Sequence, residues 1–191
     1  MAGSARYTAL LDANVLYPML LRDTLLSLAV AGLYHARWTA AIHAEWTRHL
    51  AAKQPHMAAA LPAIALQMNR AVPDCLVTGY EGLVDSIALP DPDDRHVVAA
   101  AIAGHADVIV TFNLKDFPRE AVAPFGVDVQ HPDEFVMNQL QLHKLAALSA
   151  IRKMRARWKN PERTAAELIA AMEQRGLPLS ADMLREAEAL I

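Results

Sequence analysis

The sequence predicts an α/β fold: a three-layer α/β/α domain with a short parallel central sheet, followed by helices at the C-terminal end. Up to about residue 131, short apolar and β-branched runs alternate with longer Ala- and Leu-rich stretches. Strand–helix alternation of this kind closes as a parallel sheet with helices on both faces. From His131 onward the strand-like runs stop and only helical stretches follow. The 191 residues are 54% hydrophobic, enough to fill the core of one domain of ordinary size with an appendage.

Each element has its own signal. Residues 6–12 are a short apolar run that ends on an acid, Asp12, and read as the first strand. Asn14 begins a turn, Pro18 suits the first turn of a helix, and Asp23 is a candidate N-cap for TLLSLAVAGLY. RWT is a minimal second strand. Thr39 caps the helix AAIHAEWTRHLAAK, which carries Ile42, Glu45, Trp46 and His49 on adjacent turns. HMAAALPAIALQMNRAV is helical around Pro62, CLVTGY is a third strand, and EGLVDSI a short helix. After the acidic loop PDPDD, Asp94 opens the helix RHVVAAAIAGHA, with Gly104 near its end. DVIVTF is a strongly β-branched strand, NLKDFP turns away from it, and GVDVQ is the last strand. Pro132 then starts a long helix or helix pair. Pro161 opens TAAELIAAMEQRG, which Gly176 stops, and Pro178 and Ser180 introduce ADMLREAEALI.

Composition and charge exclude several classes of function. The one cysteine, Cys75, rules out an internal disulfide and fits a reducing, cytoplasmic setting. No apolar run is long enough for a bilayer, and Arg6 and Asp12 come too early for a signal peptide, so no membrane association is expected. There is no GxxxxGK[ST] loop and no GxGxxG after the first strand. No HExxH occurs among the eight histidines, so zinc is set aside. The net charge of −3 is unevenly placed. Residues 1–140 hold 9 Lys/Arg against 15 Asp/Glu, residues 141–160 hold 6 and none, and residues 161–191 hold 3 against 6. The basic stretch is either a solvated face or a contact for RNA or a protein partner. Trp158 within RARWKN is the tryptophan best placed to touch RNA.

The acids are the chemically informative residues. Ligand crevices in parallel α/β sheets lie outside the carboxyl ends of the strands. Asp12 ends the first strand, Asn113 and Asp116 follow DVIVTF, Asp94 starts the helix that leads into that strand, and Glu45 projects from the Thr39-capped helix. Four carboxylates drawn from four elements repel one another unless a cation neutralises them, and oxygen-only ligands suit a hard divalent ion that works on phosphates. Asp91 and Asp93, separated by Pro92, serve the turn and the helix cap.

DANVLYP, the lone Glu45 some 33 residues on, DPDDRHVVAAAIAGHADVIVTFNLKDFP and HPDEFV together resemble the PIN domain over roughly residues 6–136. The resemblance implies a Mg²⁺- or Mn²⁺-dependent ribonuclease, of the kind found as toxins in VapBC-type toxin–antitoxin modules, hydrolysing RNA with a metal-activated water. It implies that residues 1–136 form the nuclease domain and 137–191 a helical C-terminal extension. The family's acidic quartet falls on Asp12, Glu45, Asp94 and Asp116. Thr111 and Asn113 support it, with Asn113 and Asp116 both open as the metal-facing residue after the strand. Asn14 matches a small polar position near the first Asp and is expected to contact substrate. Apart from the resemblance, Arg22 and Arg37 are read from the sequence either as contacts to the substrate backbone near the site, Arg22 being the one expected to bind substrate, or as partners in structural salt bridges. The implied partners are RNA, a small antitoxin protein and a second copy of the chain as a homodimer. A flap-type DNA nuclease and a catalytically inactive RNA-binding module are the alternatives.

Overall fold

A computed structural model describes residues 7–159 and 161–191. Along the chain the elements are β1 (Thr8–Leu11), α1 (Ala13–Leu16), α2 (Met19–Val30), β2 (His35–Arg37), α3 (Ala40–Lys53), α4 (Leu61–Ala71) and α5 (Arg95–Ala103). They continue as β3 (Val108–Val110), α6 (Arg119–Val122), β4 (Asp128–Gln130), α7 (Pro132–Leu142), α8 (Lys144–Arg157), α9 (Ala165–Gln174) and α10 (Pro178–Glu186). The chain divides into two compact units. One runs up to Pro18 and resumes over Tyr34–His131; the other takes Met19–Leu33 and Pro132–Ile191.

The first unit holds the sheet. Its four strands are all parallel in the order β2-β1-β3-β4, with Leu10 beside Arg37, Leu11 beside Val110, and Val110 beside Gln130. The central strands TALL and VIV are buried along their whole length, as expected for strands covered on both faces. Helix α5 lies against β1 and β3. Its Val97, Val98, Ala99, Ala100 and Ala101 are all fully buried, so the alanines serve close approach. Gly104 ends that helix where a Cβ would come within 2.8 Å of a Val77 methyl and 2.9 Å of the Ala100 carbonyl oxygen. The expected α/β fold with C-terminal helices is thus the fold observed.

The second unit is helical. Helix α10 packs on α7 and α9, and α8 packs on α2 and α7. Helix α9 starts with a reciprocal cap in which Glu167 N–H donates to Thr164 Oγ1 and Thr164 N–H to Glu167 Oε2. Gly176, at φ 79°, turns the chain out of it.

Four local expectations need correction. CLVTGY is not a strand: only Leu76 bridges to Trp38, because Asp74 (φ 56°) and Gly79 (φ 74°) bend the chain on either side. The second strand is His35–Arg37, not RWT. Asp23 does not cap a helix, since α2 already begins at Met19, directly after Pro18; its carboxylate instead accepts from Arg157 and Trp158. Thr164, not Pro161, opens α9. Arg6, where the first strand was expected to begin, and Asn160, at the end of the basic stretch, lie outside the described residues.

Candidate active site

Because all four strands run parallel, their carboxyl ends share one edge of the sheet, and the expected acids enter from that edge. Asp12 follows β1 directly and is held by three donors. Ala13 N–H donates to Oδ1 at 2.6 Å, while Asn14 Nδ2 and Thr111 Oγ1 each donate to Oδ2 at 2.7 Å. Asn14 also donates to Thr111 Oγ1 at 2.8 Å and accepts from Phe112 N–H at 3.1 Å. Thr111 Oγ1 further accepts from Asn113 N–H at 3.0 Å. The polar atoms of Asn14 and Thr111 therefore fasten the end of β1 to the end of β3, with the Asp12 carboxylate locked between them.

Glu45 sits half-buried on α3, whose start is fixed by Thr39 accepting from Ile42 N–H. A buried relay fixes the helix further along. Trp46 Nε1 donates to His43 Nδ1 at 2.9 Å, which leaves His43 Nε2 to donate to Asn69 Oδ1 at 2.9 Å, and Trp38 Nε1 donates to the same oxygen at 2.8 Å. These two tryptophans are fully buried packing residues. Asp94 occupies the cap position of α5 but makes no side-chain capping bond there. The turn is served by Asp91, which accepts from Asp93 N–H at 2.9 Å. The Asp94 carboxylate is thereby left available.

Asp12 and Asp94 both have pKa values pushed up to about 6, first by burial. For Asp12 the nearby Glu45 and Asp116 add to the rise, against the Thr111 and Ala13 hydrogen bonds. For Asp94 the added causes are Asp12, Asp91, Asp116 and Asp93. Glu45 is raised by burial and by Asp94 and Asp93, with His49 and Arg48 opposing. So Asp12 lies within electrostatic reach of Glu45, Asp94 and Asp116, and Asp94 within reach of Glu45 and Asp116. Asp116 ends a single 3-10 turn, Leu114–Asp116, whose cap residue Asn113 is exposed. Asn113 is uncharged and takes no part in this mutual repulsion.

Among the described residues, no three His, Cys, Asp or Glu side chains are gathered closely enough to hold a metal ion as they stand. The donor chemistry nevertheless fits a hard divalent cation: every candidate ligand is a carboxylate oxygen, and the mutual repulsion is what such an ion relieves. One neighbour was not singled out from the sequence. His96 Nε2 lies 3.8 Å from Glu45 Oε2, its Nδ1 is buried without a hydrogen-bond partner, and burial draws its pKa down against Asp93. Only the fold brings α3 and the start of α5 together, so no local pattern could have revealed it. Arg22 lies in the second unit, only 7% exposed, and burial lowers its pKa with Asp23 opposing.

Residues 8–115 match the family profile described as PIN domain. The chain belongs to the PIN-domain family. That span contains Asp12, Asn14, Glu45, Asp94, Thr111 and Asn113, and Asp116 falls one residue beyond it. Residues 132–186 match the profile described as VapC50 C-terminal domain, so this PIN domain carries the helical C-terminal extension expected of it. A relative named "Putative ribonuclease VapC50", from Mycobacterium tuberculosis (strain ATCC 25618 / H37Rv), is 37% identical over 107 residues, which are 54% of this chain and 63% of the relative. The chain thus matches less than two thirds of that protein's length. No solved structure matches significantly. No helix among the described residues is long and apolar enough to cross a membrane.

Proposed function

We propose that this PIN-domain protein is a divalent-metal-dependent endoribonuclease, the toxin of a toxin–antitoxin module acting in the cytoplasm. The observation that carries the reading is the set of mutually repelling carboxylates, Asp12, Glu45, Asp94 and Asp116, at the carboxyl edge of a parallel sheet. These four would hold Mg²⁺ or Mn²⁺. When bound, such an ion polarises the phosphate and makes a water nucleophilic at neutral pH.

The chain's own residues set the geometry. Thr111 and Asn14 hold both oxygens of Asp12 in a single rotamer with the help of Ala13 N–H, so the site loses little freedom when it is assembled. His96 Nε2, 3.8 Å from Glu45 Oε2, packs beside that carboxylate. Asn113, exposed three residues beyond β3, is the uncharged polar group beside the carboxylates that is open to a substrate. A small antitoxin protein would inhibit by placing a basic side chain among the carboxylates, and a homodimer is the proposed assembly.

The test is cleavage of RNA with Mg²⁺ or Mn²⁺ by the wild type and by Asp12→Asn and Asp94→Asn. Both variants should keep the fold and lose cleavage, and growth arrest on expression should disappear with them. Retained cleavage in the variants would sink the site assignment. Cleavage of branched DNA with none of RNA would move the protein to the flap-nuclease reading.

A further inference from the structure

The helical unit contains a cavity of about 450 Å³ whose chemistry is the reverse of the carboxylate site. Arg157, Trp158, Lys159, Arg163, Gln174 and Arg175 line it, and Met19, Leu20 and Pro161 supply an apolar wall. Four cations around one cavity are costly unless anions offset them, and the offset is partial. Asp23 accepts from Arg157 at 2.7 Å and from Trp158 Nε1 at 2.9 Å, so it neutralises the first and fixes the indole of the second. Among the described residues, Lys159 pairs only with the exposed Glu162, at 3.5 Å. Among the described residues, neither Arg163 nor Arg175 has an ion-pair partner. Arg163 instead lies over the Trp158 ring, its guanidinium carbon 5.4 Å from the centroid.

We propose that this cavity binds one nucleotide of a single-stranded RNA, with the phosphate on Arg163, Arg175 and Lys159 and the base against the guanidinium–indole pair. The choice of RNA as the source of that nucleotide rests on the function proposed above. The volume is that of a small-ligand pocket, large enough for one nucleotide. Cations with a flat aromatic or guanidinium surface are the means by which proteins hold single strands without reading sequence. An acidic peptide would use the cations but leave the flat pair and the apolar wall without a role. The need for such a site is electrostatic. Residues 1–140 carry 15 acids against 9 Lys/Arg, so the part of the chain with the carboxylates repels a polyanion, and affinity for RNA has to come from elsewhere.

The test uses the full chain carrying Asp12→Asn, in chelator, so that binding is measured without cleavage. Affinity for a fluorescent single-stranded RNA is followed by anisotropy over a range of salt. Adding Arg163→Ala and Arg175→Ala, both at exposed positions, should weaken binding about tenfold or more. The same change should reduce the salt slope by about 1.4, roughly 0.7 for each lost phosphate contact. Trp158 fluorescence should be quenched by the RNA, and the quench should vanish in Trp158→Phe. Unchanged affinity and slope in a double variant that melts like its parent would overturn the proposal. So would binding of polyglutamate, or of AMP alone, that depends on these arginines when RNA binding does not. Arginine-dependent RNA binding in a chain that never cleaves RNA would uphold this site while the proposed function fails. RNA cleavage with arginine-independent binding would do the opposite.

Discussion

The two units each bury an aspartate with three hydrogen-bond donors, yet the charges around the two differ. Asp12 is 5% exposed and Asp133 3%. Asp133, in the first turn of α7, accepts from Leu179 N–H at 2.9 Å, Ser180 N–H at 2.8 Å and Ser180 Oγ at 2.7 Å. Those are first-turn donors of α10, which have no partners inside their own helix, and the positive end of that helix favours an anion. Asp133 is a cap supplied by one helix to another. Asp12 is held as firmly, but around it stand Glu45, Asp94 and Asp116, which raise its pKa or are raised with it. The number of hydrogen bonds does not distinguish these two carboxylates. Uncompensated like charge does.

The comparison is broken most directly by exchanging the two substitutions. Asp12→Asn should lower RNA cleavage by about 10²-fold or more, the scale of losing a group that acts on developing charge. Its effect on urea stability at neutral pH should be the smaller of the two, because the relief of like-charge repulsion offsets the hydrogen bonds that an amide nitrogen cannot accept. Asp133→Ala should destabilise by about 2–4 kcal/mol, because two backbone donors lose their acceptor inside the protein. The fraction that remains folded should cleave normally. Instability in the first variant, or inactivity of folded protein in the second, would reverse the assignment.

A second contrast is in pH. Asp12 and Asp94 have folded-state pKa values of about 6 against an ordinary 3.8, so the folded chain binds protons more tightly than the unfolded one. Their contribution to stability is fully present below about pH 3.8 and is lost as the pH rises through about 6. Without metal, Asp12→Asn should therefore flatten the fall in Tm between about pH 5 and about pH 7.5. Mg²⁺ or Mn²⁺ should raise Tm more at the upper pH than at the lower, by about 2.7 kcal/mol of stability at a hundredfold excess over Kd. Equal metal stabilisation at both pH values would remove the carboxylates as its origin. The smallest effect belongs to Gly104→Ala. It pushes a methyl against Val77 and the Ala100 carbonyl and should cost about 1–3 kcal/mol by denaturant titration, with cleavage by the folded fraction intact.

Much of this was legible in the sequence. The alternating pattern predicted the parallel α/β fold, and Thr39 announced the helix that carries Glu45. Asp12 stands at the end of its strand, and Asp91 takes the turn duty assigned to the PDPDD loop. The expectations that failed were short-range. CLVTGY has the composition of a strand but is bent at Asp74 and Gly79, and Asp23 has the identity of a cap but sits within a helix that starts earlier. In both places a neighbouring backbone constraint outweighed side-chain preference.

The sequence by itself determined the fold class and the acids, because strand and helix periodicities and residue types are local properties that burial then uses. Only the tertiary structure decided the rest. Asn14 and Thr111 are 97 residues apart and meet because β1 and β3 are neighbours in the sheet. His96 reaches Glu45 only once α3 and the start of α5 are packed, and Asp133 caps a helix beginning some 45 residues later because α7 and α10 pack together. Such pairings cost chain entropy that only a completed core repays, so no window along the sequence records them.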